Sequence, residues 1–239
     1  MEGPSLVILK EEAIIFKGRK VIAVNGYAKV DHDRLLHQKL LDIQTWGKHF
    51  LLCFKDFTVR VHFLLFGSYR ISNSKQGSNA SLGLVFDNGE LDCYVCSVKI
   101  IEEKLDTVYD WSLDMLSPKW DPKKVRKILN NYSPDLLVGD VLLDANLFSG
   151  VGNIIRNEVL YRVLLHPDSV LRAIPSKKIT AMIKETQVYS LDFLTWKKSN
   201  ELKKHWEVYT KTNAPKVTRS LKHIQAKRSA EVLYANNAW

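Results

Sequence analysis

Leu142-Leu143-Asp144-Ala145-Asn146-Leu147-Phe148-Ser149-Gly150-Val151-Gly152-Asn153-Ile154 is the stretch on which the fold turns. It reads as a helical run that enters Gly-Val-Gly-Asn and leaves into a second helix over 154–163, closed by His166-Pro167. Glycine lets a backbone come close to whatever it faces. A helix starting there offers unpaired N–H groups and the positive end of its dipole, which suits a phosphate. Asn153 adds a side-chain donor. Alone, such a segment reads first as a tight turn with an Asn cap, so its surroundings decide its meaning.

The surroundings are helical. Asp121-Pro122 is a helix start, with a capping carboxylate and a proline in the first turn. Ser176 after Pro175 is expected to cap another helix, in which Ile179, Met182, Ile183 and Thr186 keep the 3-and-4 spacing of a buried face. Upstream of a composition shift at Leu116-Ser117-Pro118 the pattern is β. The run 20–24 is β-branched, and runs 50–54 and 57–66 are joined by Lys55-Asp56. Val59, Val61 and Phe63 alternate with Arg60 and His62. Asp87-Asn88-Gly89 between two apolar runs predicts a hairpin whose primed turn needs positive φ. One helix, from about residue 5 to 16, precedes the strands, and residues 72–81 read as a loop. The expected architecture is α+β, with a two-layer β-sandwich domain over 1–117, a helical domain over 118–200 and a β-hairpin over 201–239.

The bulk numbers narrow the class. The chain has 239 residues, 46% of them apolar, and a formal net charge of +9. From 201 onward there are eight Lys or Arg against three Glu, so over half of the net charge lies in the tail. A basic chain of this size is expected to meet nucleic acid or another acidic surface, with a basic housekeeping enzyme as the alternative that charge alone leaves open. Three cysteines, Cys53, Cys93 and Cys96, are too few for a secreted disulfide scaffold. Cys93-x-x-Cys96 lies in an apolar run, where positions i and i+3 of a strand face opposite ways, and no second pair follows; both read as ordinary strand cysteines. The N-terminus carries no basic and apolar leader, and no apolar run is long enough for a bilayer span. The expectation is an intracellular protein of the cytoplasm or nucleoid.

Three further segments give the glycine motif its company. Met1-Glu2-Gly3-Pro4 opens the chain, Gly47-Lys48-His49-Phe50 opens a strand, and Val61-His62-Phe63-Leu64-Leu65-Phe66-Gly67-Ser68 follows. In this order and spacing the segments resemble the formamidopyrimidine-DNA glycosylase and endonuclease VIII family, over nearly the whole chain. The family's helix-two-turns-helix signature looks like residues 142–167, with Gly150, Gly152, Asn153, Ile154 and Glu158 in register. Its strand lysine matches Lys48, and its His-Leu-Gly-Met-Ser-Gly segment looks like residues 62–67.

The resemblance implies a β-sandwich with a leading helix, a helical domain and a C-terminal hairpin finger. It implies base-excision repair: a glycosylase that expels an oxidised base and, as an AP lyase, cleaves the backbone through a Schiff base. The implied partner is double-stranded DNA with a damaged base or an abasic site, bound by a monomer without a membrane. Lys48, His62, Gly152, Asn153 and Arg228 become DNA contacts. Leu65 stands where the family has a wedge that fills the space of the flipped base, a role open to an apolar side chain; the residues alone equally allow a strand core position. Glu2 matches the acid/base glutamate.

The departures are as informative. Zinc-bearing members carry four cysteines in the finger, and here none follows Cys96. Lys227-Arg228-Ser229 with Val232 and Tyr234 looks like the end of a zincless finger, so neither metal nor cofactor is expected. That finger would fold by apolar packing of Val208, Tyr209, Leu233 and Tyr234. The family's N-terminal proline nucleophile is absent and Met1 takes its place. Its opposite-strand-reading loop aligns with residues 95–100, Ser5 stands at a usually acidic position, and Gly139 stands where a lysine precedes the signature. The catalytic set expected is Met1, Glu2 and Lys48, with the Met1 α-amine as nucleophile. The alternatives are a catalytically weakened damaged-DNA-binding protein of the same fold and a plain basic scaffold.

Overall fold

The computed structural model describes residues 1–72 and 79–210. Helix α1 (Gly3–Ala13) starts earlier than residue 5 because Pro4 fits the first turn, where its missing N–H costs nothing. It buries Leu6, Leu9 and Ala13 and runs into a 3-10 turn (Ile14–Phe16). Phe16, fully buried, stacks on Phe86 at 4.6 Å. Burying such a ring stabilises the fold by about 2–3 kcal/mol.

Six antiparallel strands follow: β1 (Ala23–Asn25), β2 (Asp42–Trp46), β3 (His49–Cys53), β4 (Thr58–Ser72), β5 (Leu82–Phe86) and β6 (Gly89–Ile101). Between β1 and β2 lies the short helix α2 (His32–Leu35), capped by Asp31. By hydrogen bonding the strands form one sheet, in the order β1-β5-β6-β4-β3-β2. The two expected layers are therefore two halves of a continuous sheet. β4 and β6 run through both halves, and a bulge between Phe63 and Ser68 separates them. Phe50, Leu52, Val59 and Val61 from one half share a core with Leu82, Leu84, Phe86 and Leu91 from the other.

Several local expectations need correction. The run at 20–24 shortens to β1, with Lys20 making an isolated bridge to Lys39. The β5–β6 hairpin forms as expected, but positive φ falls on Gly89 (149°), which pairs with Phe86, and not on Asp87 or Asn88. Cys93 and Cys96 do not face opposite ways: Val95, at φ 48°, resets the alternation, and both pack against the same core. Both thiols are free, and burial pushes them up, Cys96 to about 11.

The second half contains α3 (Leu105–Val108), α4 (Pro122–Leu129), α5 (Val138–Val141), α6 (Asn153–Arg162) and α7 (Ser176–Lys198). Asp121 caps α4 as read, accepting from the N–H groups of Lys123 and Lys124. Ser176 is no cap. It is the first residue of α7, after Pro175, and its hydroxyl accepts from Arg126 at 2.7 Å. The helical run expected from Leu142 gives way to turns stapled by Asp144, whose carboxylate accepts from Asn146 N–H at 2.8 Å. The second core begins at Leu113 and Met115, so the boundary we propose near 117 falls within its first segment. α7 packs on α4, α6 and also α1, which joins the halves. No helix among the described residues is long and apolar enough to cross a membrane.

Candidate functional site

Three glycines bring the motifs together. The Gly3 N–H donates to Gly150 O at 2.9 Å. Gly47, at φ 54°, presses on the same segment: a Cβ there would lie 2.8 Å from Gly150 N and 2.9 Å from Ser149 Cβ. Gly150 itself holds φ 101°. Each position needs glycine for its dihedral angle or its close approach. Lys48 does not sit inside a strand. With Gly47 it forms the two-residue loop between Trp46 and His49, and only Gly47 has positive φ, the pattern of a type II′ turn.

Glu2 lies at the centre of this junction. Its carboxylate accepts from Ile154 N–H at 2.7 Å and Ile155 N–H at 3.2 Å, so it occupies the N-terminal end of α6. Gly152 makes this possible, since a Cβ there would come within 2.5–2.6 Å of the Glu2 side chain. The close approach read for the glycine motif is thus to the chain's own carboxylate, and the N–H groups expected to meet a phosphate are already taken. Asn153 keeps its side chain free of hydrogen bonds among the described residues, at the first position of α6.

Burial sets the electrostatics. It raises the Glu2 carboxyl above its ordinary range, against the pull of the two N–H groups and of the charges on Lys48 and the Met1 amine. Burial lowers the Met1 α-amine below 8.0, opposed by Glu2 and reinforced by Lys48 and Lys197. Lys48 is lowered by burial against the pull of Glu2. The centre therefore holds an amine biased toward its neutral form beside a carboxyl biased toward its acid form.

His62 pairs across strands with His49, ring edge to ring face at 5.5 Å, and His49 Nδ1 lies 3.1 Å from the Tyr109 hydroxyl. Burial first, then nearby cations, lowers His62 to about 4 and His49 to about 3. His62 can thus offer a neutral N–H at pH 7, not a charge.

Leu65 is no core residue. It is 58% exposed at the bulge, between Leu64 and Phe66, and Phe66 is 81% exposed. Gly67 lets β4 return to the sheet, since a Cβ there would meet Phe63 Cβ at 2.7 Å and Val95 O at 2.9 Å. Val95, in the segment aligned with the opposite-strand loop, is itself exposed and contributes to this apolar knuckle. Gly139, in the place of a lysine, abuts Pro167, where a Cβ would sit 3.0 Å from the proline ring and carbonyl. Arg228, Leu233 and Tyr234 lie outside the described residues, as do the rest of the expected finger from residue 211 onward and residues 73–78.

Sequence reasoning missed Phe66, His49, Tyr109 and Asp114. Phe66 had a signal: it completes four successive apolar residues, 63–66, where strict alternation would place two polar. Asp114 had only its position before Ser117-Pro118. Glu158, read in register, proves to be a buried anchor that accepts N–H groups from Glu207, Val208 and Tyr209 at 2.7–3.0 Å.

No family model matches the chain. It is 28% identical over 179 residues to Endonuclease 8-like 3 of Mus musculus, covering 72% of this chain. It is 33% identical over 108 residues to Endonuclease 8-like 2 of Mus musculus, covering 45% of this chain and 32% of that protein. A DNA-(apurinic or apyrimidinic site) lyase Nei2 of Mycolicibacterium smegmatis is 25% identical over 59% of this chain and 56% of its own. The chain spans about 29% of the length of the Endonuclease 8-like 3 proteins it matches. Among solved structures, a viral DNA glycosylase superposes with TM-score 0.78 at 18% identity, over 90% of this chain and 91% of its own. Formamidopyrimidine DNA glycosylase of Lactococcus lactis, bound to DNA containing an AP site, gives 0.76 at 20%, over 89% and 88%. In its fold the chain is similar to formamidopyrimidine-DNA glycosylases, and in its sequence to endonuclease VIII-like proteins.

Proposed function

We propose that the chain is a DNA glycosylase with AP-lyase activity in base-excision repair, acting on oxidised bases or abasic sites in double-stranded DNA as a monomer inside the cell. The observation that carries this reading is the seat of Glu2, whose carboxylate is fixed on α6 beside a Met1 amine that burial biases toward the neutral form. In a chain that starts at Met1, the α-amine nitrogen bonds to the sugar C1′ as the bond to the damaged base breaks. Glu2 supplies the proton that ring opening at the sugar oxygen requires. The resulting imine makes the neighbouring carbon acidic enough for β-elimination of the phosphate. The base reaches this centre by leaving the stack, because its reacting bond is inaccessible within the duplex.

Grip is assigned to Lys48, His62, the Asn153 side chain and Arg228 on phosphates, and to Leu65 with Phe66 in the space left by the flipped nucleotide. The lyase name of the mycobacterial relative and the abasic-site complex of the lactococcal one support this reading. The test is borohydride trapping on duplex DNA with an abasic site, followed by peptide mapping of the adduct. An adduct on the Met1 amine is the expected result. An adduct only on Lys48 moves the nucleophile there, and tight binding with no adduct overturns the assignment of catalysis.

A further inference from the structure

Asp114 stands outside every motif that suggested the reaction, yet it is 4% exposed and both its oxygens are engaged. Oδ2 accepts from Gly47 N–H at 2.9 Å and Oδ1 from Leu116 N–H at 2.9 Å. The first bond crosses 67 residues and reaches the tip of the β2–β3 hairpin, one residue before Lys48. Around it the junction is closed by backbone. Ser149 N–H donates to Leu113 O at 3.1 Å, Asp114 bridges Ser149, and Gly3 N–H donates to Gly150 O at 2.9 Å. Gly47 has no room to slide, since even a methyl group would strike Gly150 and Ser149.

We propose that Asp114 is a positioning residue, which fixes the hairpin tip against residues 149–150 and so sets where the Lys48 ammonium stands relative to Met1 and Glu2. The assignment rests on reading those three residues as the reacting centre. A carboxylate suits the task because both of its oxygens accept. An asparagine has one acceptor oxygen, so it can keep the local turn at Leu116 only by setting its NH2 against the Gly47 N–H. The hairpin tip then loses its tie while the linker keeps its shape.

Asp114→Asn in the full chain separates this from two simpler roles. The first measurement is competitive acylation of lysines across pH, read by mass spectrometry, which gives the midpoint for Lys48. Loss of positioning releases Lys48 from burial and moves its midpoint up. Loss of a nearby negative charge alone moves it down, and loss of a turn confined to the linker leaves it in place; either of these overturns the proposal. The second measurement is single-turnover borohydride trapping, which should fall about tenfold or more, the size of one lost hydrogen bond to a charged group. If the wild-type chain gives no adduct, the reading of the reaction fails while the Lys48 midpoint still decides the role of Asp114. Asp114→Glu keeps two acceptor oxygens on a longer arm and should lie between wild type and Asp114→Asn in both measurements. Should Asp114→Asn fail to fold, a wild-type Lys48 midpoint in Asp114→Glu overturns the proposal.

Discussion

The junction at Glu2 and the knuckle at Leu64-Leu65-Phe66 follow opposite building rules. At the junction polar groups are paired inside the chain: Glu2 with α6, Gly3 with Gly150, Gly47 with Asp114. At the knuckle three large apolar side chains stand in solvent, on a stretch where β4 has left its register with β6. On the proposed function, the difference is a division of labour. Groups that react are held in place before any ligand arrives, because a misplaced proton donor loses rate steeply. Surfaces that recognise stay unsatisfied until the partner covers them.

The sharpest way to break this comparison is Glu2→Gln. The amide keeps the size of the side chain but cannot donate or accept the proton as an acid, so base removal and trapping should fall by roughly 10² to 10⁴. Single-turnover rates check this, and a loss below threefold would leave Glu2 as a mere helix cap. In the wild-type chain the trapping rate should rise with pH as the Met1 amine loses its proton, with a midpoint below 8.0, since burial lowers that amine. Gly152→Ala is the next test. Its methyl group would overlap the Glu2 side chain and displace it without touching DNA-facing groups. The rate should drop roughly 10²-fold while duplex affinity stays within a few-fold, which binding titrations with abasic DNA can show.

Acid probes the ground between the two regions, where His49 and His62 face each other. Unfolded, both rings take up protons near pH 6.5; folded, they do so only near 3 and 4. Between those values protons favour the unfolded chain, so stability is full above about pH 6.5 and declines as pH falls. The two half-buried rings should cost about 2 kcal/mol by pH 5 once solvent screening is allowed for. Urea melts at pH 7 and pH 5 measure the loss, and His49→Gln should roughly halve it. The smallest effect is expected at the knuckle. Leu65→Ala, which removes an apolar wedge, and Phe66→Ala, which removes a stacking ring, should each weaken binding to lesion duplex about tenfold and leave the melting temperature unchanged because both side chains are exposed. A lowered melting temperature with unchanged affinity would return them to the fold's own packing.

What could be read from the sequence was what is local. Asp121-Pro122 capped its helix, and Asp87-Asn88-Gly89 turned its hairpin, since each signal lies within a few residues of its effect. The seat of Glu2 was hidden because its partners are 152 and 153 residues away. The glycine motif pointed to a close approach, but sequence cannot name what approaches, and the obvious candidate was a phosphate. Cys93 and Cys96 were set on opposite faces by counting in twos, which fails where Val95 adopts positive φ. Leu65 could not be sorted from a core residue, since an apolar letter in a strand reads alike at a bulge and in a core. Lys48 reads from sequence as a strand residue because Gly47 marks a loop only when its partner across the turn is known.

Glu158 carries a consequence for how such proteins diversify. It gathers three backbone N–H groups of residues 207–209 onto the middle of α6, a tie that does not depend on which side chains those residues carry. Substitutions other than proline at these three positions would leave the tie in place, so the segment can change in sequence without changing where it joins the helical domain.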